Sequence, residues 1–223
     1  MNVEYFVIFL ISFLIGAIPF GFILAKVFAH QDLRQVGSGN TGAANLSRVS
    51  KLLAIVGVIL DALKVLIAYW TISSFIFVDD FEKMIIAGAG VLGHCYSPYL
   101  RFKGGKGIAT AFGAIFLFEP QISVAALGIY ILIVAITRIS SLSNLFASLS
   151  APIWAWIFTH NMLLVYLLTV FALFIWIRHL ENIKRLFSGT EPKLQPKSIF
   201  ALILGAIFFS VLWFLFARIV ALH

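Results

Sequence analysis

The sequence predicts an all-α, polytopic integral membrane helical bundle with seven core transmembrane helices and an eighth at its C-terminal end. Of 223 residues, 62% are hydrophobic and only 11% charged, with a mean hydropathy of +1.06, well outside the range of soluble domains. The apolar residues fall in runs near the roughly 20 helical residues needed to cross hydrocarbon. The basic residues collect in alternate connections between those runs, the asymmetry expected of cytoplasmic loops.

In chain order, helices are predicted at 4–28, 51–77, 82–99, 107–118, 120–138, 141–158, 162–178 and 198–221. The first has Glu4 as its only charge before Lys26, so it lacks the basic start of a cleavable signal, and its apolar run is too long for one. It is expected to stay attached as a span. The division at Glu119–Pro120 rests on proline's missing N–H and its clash with a preceding turn. A single kinked helix of roughly 30 residues is the competing reading, and it is too long for one untilted crossing.

Lysine and arginine placement tests the order. One set of loops carries Lys26, Arg34, Arg48 and Lys51; then Arg101, Lys103 and Lys106; then Arg138; then Arg178, Lys184, Arg185, Lys193 and Lys197. The opposite set carries Asp79, Asp80, Glu82 and Lys83, then Glu119, then Thr159-His160-Asn161. Eight alternating spans put every basic loop inside and both termini outside. Merging 107–138 would put the 178–197 loop on the wrong face.

Composition also excludes. Net charge +7 would suggest nucleic acid in a soluble chain, but here the charges sit in short topogenic loops, so no nucleic-acid partner is expected. The single cysteine, Cys95, rules out an internal disulfide framework and CxxC chemistry and reads as an inert buried thiol. No H-E-x-x-H or clustered His/Asp/Glu pattern suggests a metal, and no cofactor is expected.

Three polar clusters interrupt the apolar pattern. The first, residues 37–48, holds Gly37, Ser38, Gly39, Asn40, Thr41, Gly42, Asn45 and Arg48. Its glycines permit positive φ and inward-turned N–H groups, and Arg48 supplies a fork suited to phosphate, so it reads as a phosphate or carboxylate cradle. The second, Lys103-Gly104-Gly105-Lys106-Gly107 followed by Thr110, opens a helix and combines two ammonium groups with a positive helix end. It lacks the Gly-x-x-x-x-Gly-Lys-Ser/Thr pattern, so ATP is not inferred, and a basic topogenic stop with flexible glycines is the plainer alternative. The third follows the seventh helix: Arg178, Asn182 and Arg185 share one face, and His179 with Asn182 another. His179 suits proton transfer near neutral pH, although an ordinary interfacial helix end has the same look. All three clusters fall on the cytoplasmic side and are expected to converge.

Other signals have structural readings. Gly88-x-Gly90-x-x-Gly93 matches a dinucleotide fingerprint but lies inside an apolar helix, where close helix packing explains it. Asp61 and Lys64, three apart in the second span, read as a buried ion pair or as a transport relay. His94 reads as a packing histidine, with a place near the second cluster as the alternative.

These clusters, in this order, resemble the bacterial acyl-phosphate:glycerol-3-phosphate acyltransferase family (PlsY type). The resemblance rests on Gly16-Ala17-Ile18-Pro19-Phe20-Gly21, on Gly37 to Asn45 with Arg48, on Gly93-His94 with Lys103 to Thr110, and on Arg178-His179 with Asn182-Ile183 and Arg185. It covers residues 5 to 192 and implies a membrane acyltransferase domain at 1–192, followed at 193–223 by a linker and an extra helix that the family's seven-span architecture lacks. It further implies acyl phosphate and sn-glycerol 3-phosphate as substrates, a bacterial inner-membrane location and action as a monomer in the bilayer. Under the resemblance, Ser38, Asn40, Arg48, Lys106, His179 and Asn182 are the catalytic set. Gly37, Gly39, Gly42, Asn45, Lys103, Gly104, Gly105, Gly107, Thr110 and Arg185 line the substrates. No His-x-x-x-x-Asp dyad occurs, which disfavours an acyl-CoA or acyl-carrier-protein mechanism. Two alternatives remain: a secondary transporter of an anionic solute, and a non-catalytic lipid-binding or scaffold protein.

Overall fold

The computed structural model describes residues 2–194, and among these every regular element is helical. The predicted 198–221 helix lies outside the described residues. The first predicted helix is broken in two: α1 (Val3–Gly16) and α2 (Phe20–Phe28) are separated by Ala17-Ile18-Pro19. Pro19 lacks an amide hydrogen and cannot continue the hydrogen-bond ladder, which the unbroken hydropathy of the run conceals.

The remaining elements are α3 (Ala43–Leu46), α4 (Lys51–Ser73), α5 (Asp80–Cys95), α6 (Ile108–Phe116), α7 (Pro120–Thr137), α8 (Ser140–Thr159), α9 (Met162–Arg178) and α10 (Leu180–Phe187). Their starts are set locally. Ser50 caps α4 through the Leu53 amide. Asp79 and Glu82 form a reciprocal capping box on α5, with both bonds at 2.9 Å. Asn161 accepts from the amides of Leu163 and Leu164 at the head of α9. The break between α6 and α7 falls at Leu117 to Glu119, so the two are separate helices.

The chain forms two compact units, divided after Ser123. In the first, α4 is central and touches α1, α2, α3, α5 and α6, while α1 runs against α5. Glycines make these approaches possible: a Cβ at Gly16 would strike the Gly90 backbone, one at Gly93 the Phe13 carbonyl, and one at Gly113 the Ala62 carbonyl. Contact at this range is how helices associate where lipid removes the usual hydrophobic drive. A small core of Leu24, Ala25, Leu33, Leu46 and Ala54 fixes the 29–50 segment between α2 and α4.

In the second unit α8 packs on α9, and α10 packs on both. The α9 and α10 axes bend by 62° at His179. Trp176 Nε1 donates to the Leu145 carbonyl at 3.4 Å, and the Leu194 amide donates to the Arg138 carbonyl at 2.7 Å.

Large apolar side chains stand exposed along the helices, among them Phe6, Leu10, Val58, Ile59, Leu132, Ile153, Val170 and Leu173. Such faces belong against lipid. Among the described residues three stretches are long and apolar enough to cross a membrane: Val3–Phe28 taken across its break, Lys51–Ser73 and Pro120–Thr137. The bent pair Met162–Arg178 and Leu180–Phe187 makes a fourth if counted as one span.

Candidate active site

The first polar loop is closed by one buried side chain. Asn45, 3% exposed, donates from Nδ2 to the carbonyls of Leu33 at 3.0 Å and Val36 at 2.8 Å, while its Oδ1 accepts the Ser38 amide at 3.3 Å. Gly37 and Gly39 both have positive φ, at 50° and 70°, where a side chain would be strained. A Cβ on Gly37 would also meet Asn45 Oδ1 and the Arg48 side chain, so Arg48 runs along the loop. The amides of Ser38, Gly39 and Gly42 are taken by Asn45 Oδ1, the Val36 carbonyl and Asn40 Oδ1 respectively. These three amides therefore brace the loop and are not turned toward a ligand. Asp32 holds Arg34 in a two-residue clamp, and that hydrogen bonding depresses the Asp32 carboxyl to about 2.

The second loop folds back on the end of α5. The Gly104 amide donates to the Cys95 carbonyl and the Gly105 amide to the His94 carbonyl, both at 3.1 Å. These carbonyls belong to the last turn of α5, whose orphan acceptors are thereby satisfied. Neither glycine tolerates a side chain, because a Cβ at Gly104 would strike the His94 carbonyl and one at Gly105 the His94 ring. Gly107, at φ 88°, ends the loop as the N-cap of α6. Lys106 is half-buried, Lys103 exposed, and the Thr110 hydroxyl fully buried with no hydrogen-bond partner among the described residues.

Between the loops lies the broken segment of the first helix. The freed Ala17 carbonyl accepts from Ser97 Oγ at 2.6 Å, and the Ile18 carbonyl accepts from Lys64 Nζ at 3.1 Å. Two residues on, Gly21 sits against the Thr41 carbonyl of the first loop with no room for a Cβ. Asp61 and Lys64 form the expected pair at 2.9 Å, and Lys64 also meets His94 Nδ1 at 2.8 Å. His94 is thus bonded to a buried cation, a role beyond the packing expected of it.

The third cluster belongs to the second unit. His179, 1% exposed, makes a 2.8 Å hydrogen bond through Nδ1 with the Ile175 carbonyl. A carbonyl only accepts, so Nδ1 carries the hydrogen and the neutral ring has its lone pair on Nε2. Asn182 donates to Glu191 Oε1 at 2.6 Å and Arg185 Nε to Oε2 at 2.7 Å, while Ser141 Oγ also donates to Oε1 at 2.6 Å. Burial alone would raise the Glu191 carboxyl, but these three donors outweigh it and hold the group below the usual glutamate range. Sequence reasoning missed Glu191 and Ser141. The available signal was a carboxylate just past Gly189, where positive φ (71°) turns the chain back beside α10.

Fold and loops together define a polytopic membrane protein with two glycine-braced, basic loops. The glycerol-3-phosphate acyltransferase family model matches residues 6–189. A glycerol-3-phosphate acyltransferase of Dinoroseobacter shibae is 46% identical over 190 residues, covering 84% of this chain and 92% of its own, and one of Rhodopseudomonas palustris is 42% identical over 196 residues, covering 86% and 97%. The crystal structure of PlsY (YgiH), an integral membrane glycerol 3-phosphate acyltransferase, in its glycerol 3-phosphate form, superposes with a TM-score of 0.79 at 32% identity, covering 88% of this chain and 98% of that one. Its lysophosphatidic acid form gives 0.78 at 30%, with the same coverage. The chain belongs to the glycerol-3-phosphate acyltransferase family, and it is an acyltransferase of the membrane.

Proposed function

We propose that this chain transfers a fatty acyl group from acyl phosphate to the 1-hydroxyl of sn-glycerol 3-phosphate, giving 1-acyl-sn-glycerol 3-phosphate and phosphate, in the first step of membrane phospholipid synthesis. The observation that carries the reading is the family match, which spans all three polar clusters. Relatives crystallised with glycerol 3-phosphate and with lysophosphatidic acid support the acceptor and the product. The donor rests on the motif resemblance and on the absence of a His-x-x-x-x-Asp dyad in the sequence.

Acyl phosphate is a mixed anhydride, already activated, so orientation and charge stabilisation can supply most of the catalysis. The glycerol hydroxyl oxygen attacks the acyl carbonyl, the carbon–oxygen bond to phosphate breaks, and phosphate leaves with the electron pair. No acyl-enzyme forms. Lys106 and Arg48 hold phosphate groups, and Ser38 and Asn40 orient the donor. His179 and Asn182 serve the glycerol backbone or the departing proton. A phosphate oxygen of a substrate is the alternative base. Lys103, Thr110, Arg185 and the loop glycines line the bound groups.

The chain acts as a monomer in the bacterial inner membrane, with seven core spans and an eighth, basic loops cytoplasmic and both termini outside. The segregation of lysine and arginine supports that orientation. Phosphate release by the purified protein from acyl phosphate, with and without sn-glycerol 3-phosphate, tests the reading. Release that requires the acceptor and is lost in Lys106→Ala is the expected result; release indifferent to the acceptor, or a stable acyl adduct on Ser38, overturns it.

A further inference from the structure

Lys64 is fully buried in α4, and its ammonium is saturated. An ammonium has three N–H donors. Three acceptors surround Nζ: Asp61 Oδ1 at 2.9 Å, His94 Nδ1 at 2.8 Å and the Ile18 carbonyl at 3.1 Å. The Phe20 ring closes one flank at 5.9 Å. A charge removed from water to this extent is costly unless every donor is matched, and here every donor is.

The direction of the His94 bond fixes the ring. Because Lys64 donates to Nδ1, the imidazole hydrogen lies on Nε2, and the ring is held in one orientation. That edge of the ring lies directly under Gly105, where no Cβ fits, and the His94 carbonyl holds the Gly105 amide at 3.1 Å. Gly105 immediately precedes Lys106. One continuous set of contacts thus runs from Asp61 through Lys64 and His94 to the backbone beside Lys106. A second branch runs from Lys64 to the Ile18 carbonyl and so to the broken segment, where Gly21 abuts the Thr41 carbonyl of the first loop.

The geometry points to Asp61, Lys64 and His94 as positioning residues for acyl transfer: a buried strut that sets the height and angle of the Gly104-Gly105-Lys106 loop. This rests on the reading above that Lys106 holds a substrate phosphate. The three residues touch no substrate and act through Lys106. The Lys64 ammonium bonds within the trio and to backbone, which is the arrangement of a fixed support and leaves no spare donor on Lys64 for a transport relay.

The test uses the full chain in lipid vesicles and two readouts. The paired replacement Asp61→Asn with Lys64→Met removes both buried charges together, so neither is left unpaired. His94→Gln keeps an acceptor for Lys64 but removes the ring beneath Gly105. With thermal midpoints near that of the wild type, each is expected to lower kcat/KM by ~10²-fold, the scale of a small misplacement of a binding group. Neither is expected to lower the residual activity of Lys106→Ala further, read at high enzyme concentration. The second readout, independent of activity, is the rate at which the Lys106 amine is modified by an acylating reagent, followed by mass spectrometry, and it should shift several-fold in both variants. Wild-type activity with an unchanged modification rate, or losses that multiply with Lys106→Ala, overturns the strut. Should the paired variant fail to fold, His94→Gln decides alone. If the wild type releases no phosphate in response to glycerol 3-phosphate, the enzymatic reading fails, and the Lys106 modification rates still judge the strut.

Discussion

Asn182 donates its side-chain amide to Glu191 at 2.6 Å, across the turn at Gly189 that brings the chain back beside α10. The bond fixes Asn182 with its nitrogen toward Glu191. The same carboxylate holds Arg185 and Ser141. Glu191→Ala would leave three donors without their acceptor, and the handicap of unmatched buried donors is roughly 1–3 kcal/mol. We expect a lower thermal midpoint together with a loss of acyl transfer; an unchanged midpoint would show that Asn182 and Arg185 find other partners.

The Glu191 carboxyl titrates lower in the folded chain than in the unfolded one, because its donors favour the charged form despite burial. A depressed pKa adds stability that is present above the unfolded glutamate value of about 4.3 and is lost as pH falls through the lower folded value. Thermal midpoints should therefore hold steady above pH ~6 with respect to this group and fall on the acid side of ~4. Glu191→Gln should flatten that acid limb, measured by scanning fluorimetry across pH.

Gly93 and Gly88 lie in the same helix and make opposite predictions. A Cβ at Gly93 would overlap the Phe13 carbonyl and force α1 from α5, whereas among the described residues nothing lies within 4 Å of a Cβ at Gly88. Gly93→Ala should cost about 1–3 kcal/mol of stability as overpacking does. Gly88→Ala should be neutral or stabilising by up to about 1 kcal/mol, since alanine favours helix. Equal midpoints for the two variants would contradict the packing of α1 on α5.

Asn45→Ala should open the first loop without touching Ser38 or Arg48. Two carbonyls, of Leu33 and Val36, lose their donor, and Ser38 loses the oxygen that receives its amide. A fall in kcat/KM of at least about 10-fold is expected from the misplaced loop, while Ser47→Ala, whose hydroxyl only bonds the Ala44 carbonyl, should change little.

A chain ending at residue 197 should retain acyl transfer, because the family match ends at residue 189 and all three clusters precede it. Loss of turnover in a truncated protein that still folds would assign the last segment to the reaction.

Much of the helical order was legible because apolar runs and loop charges are local signals. Met162–Arg178 matches the predicted 162–178, and Lys51, Pro120 and Ser140 begin helices within a residue of the expected positions. The break at Ala17–Pro19 was harder to see, since hydropathy runs straight through it and only Pro19 marks it. Asp61 and Lys64 were readable as a pair from their three-residue spacing. Their third partner was not, because His94 stands thirty residues further on and only tertiary packing brings its Nδ1 to Lys64. Glu191, just past Gly189, carried only a weak signal for a related reason: a lone carboxylate in a polar tail looks solvated until the fold supplies Ser141 from a helix fifty residues earlier.

The interruption of the first helix also bears on how the chain is made. The helix before it, Val3–Gly16, is only about 21 Å long at 1.5 Å per residue, short of a bilayer's ~30 Å hydrocarbon layer. The carbonyls of Ala17 and Ile18 that the break frees take their donors, Ser97 and Lys64, from 80 and 46 residues further along the chain. The first span is therefore finished only by residues that follow it in synthesis, so its final shape waits on the helices that supply Lys64 and Ser97.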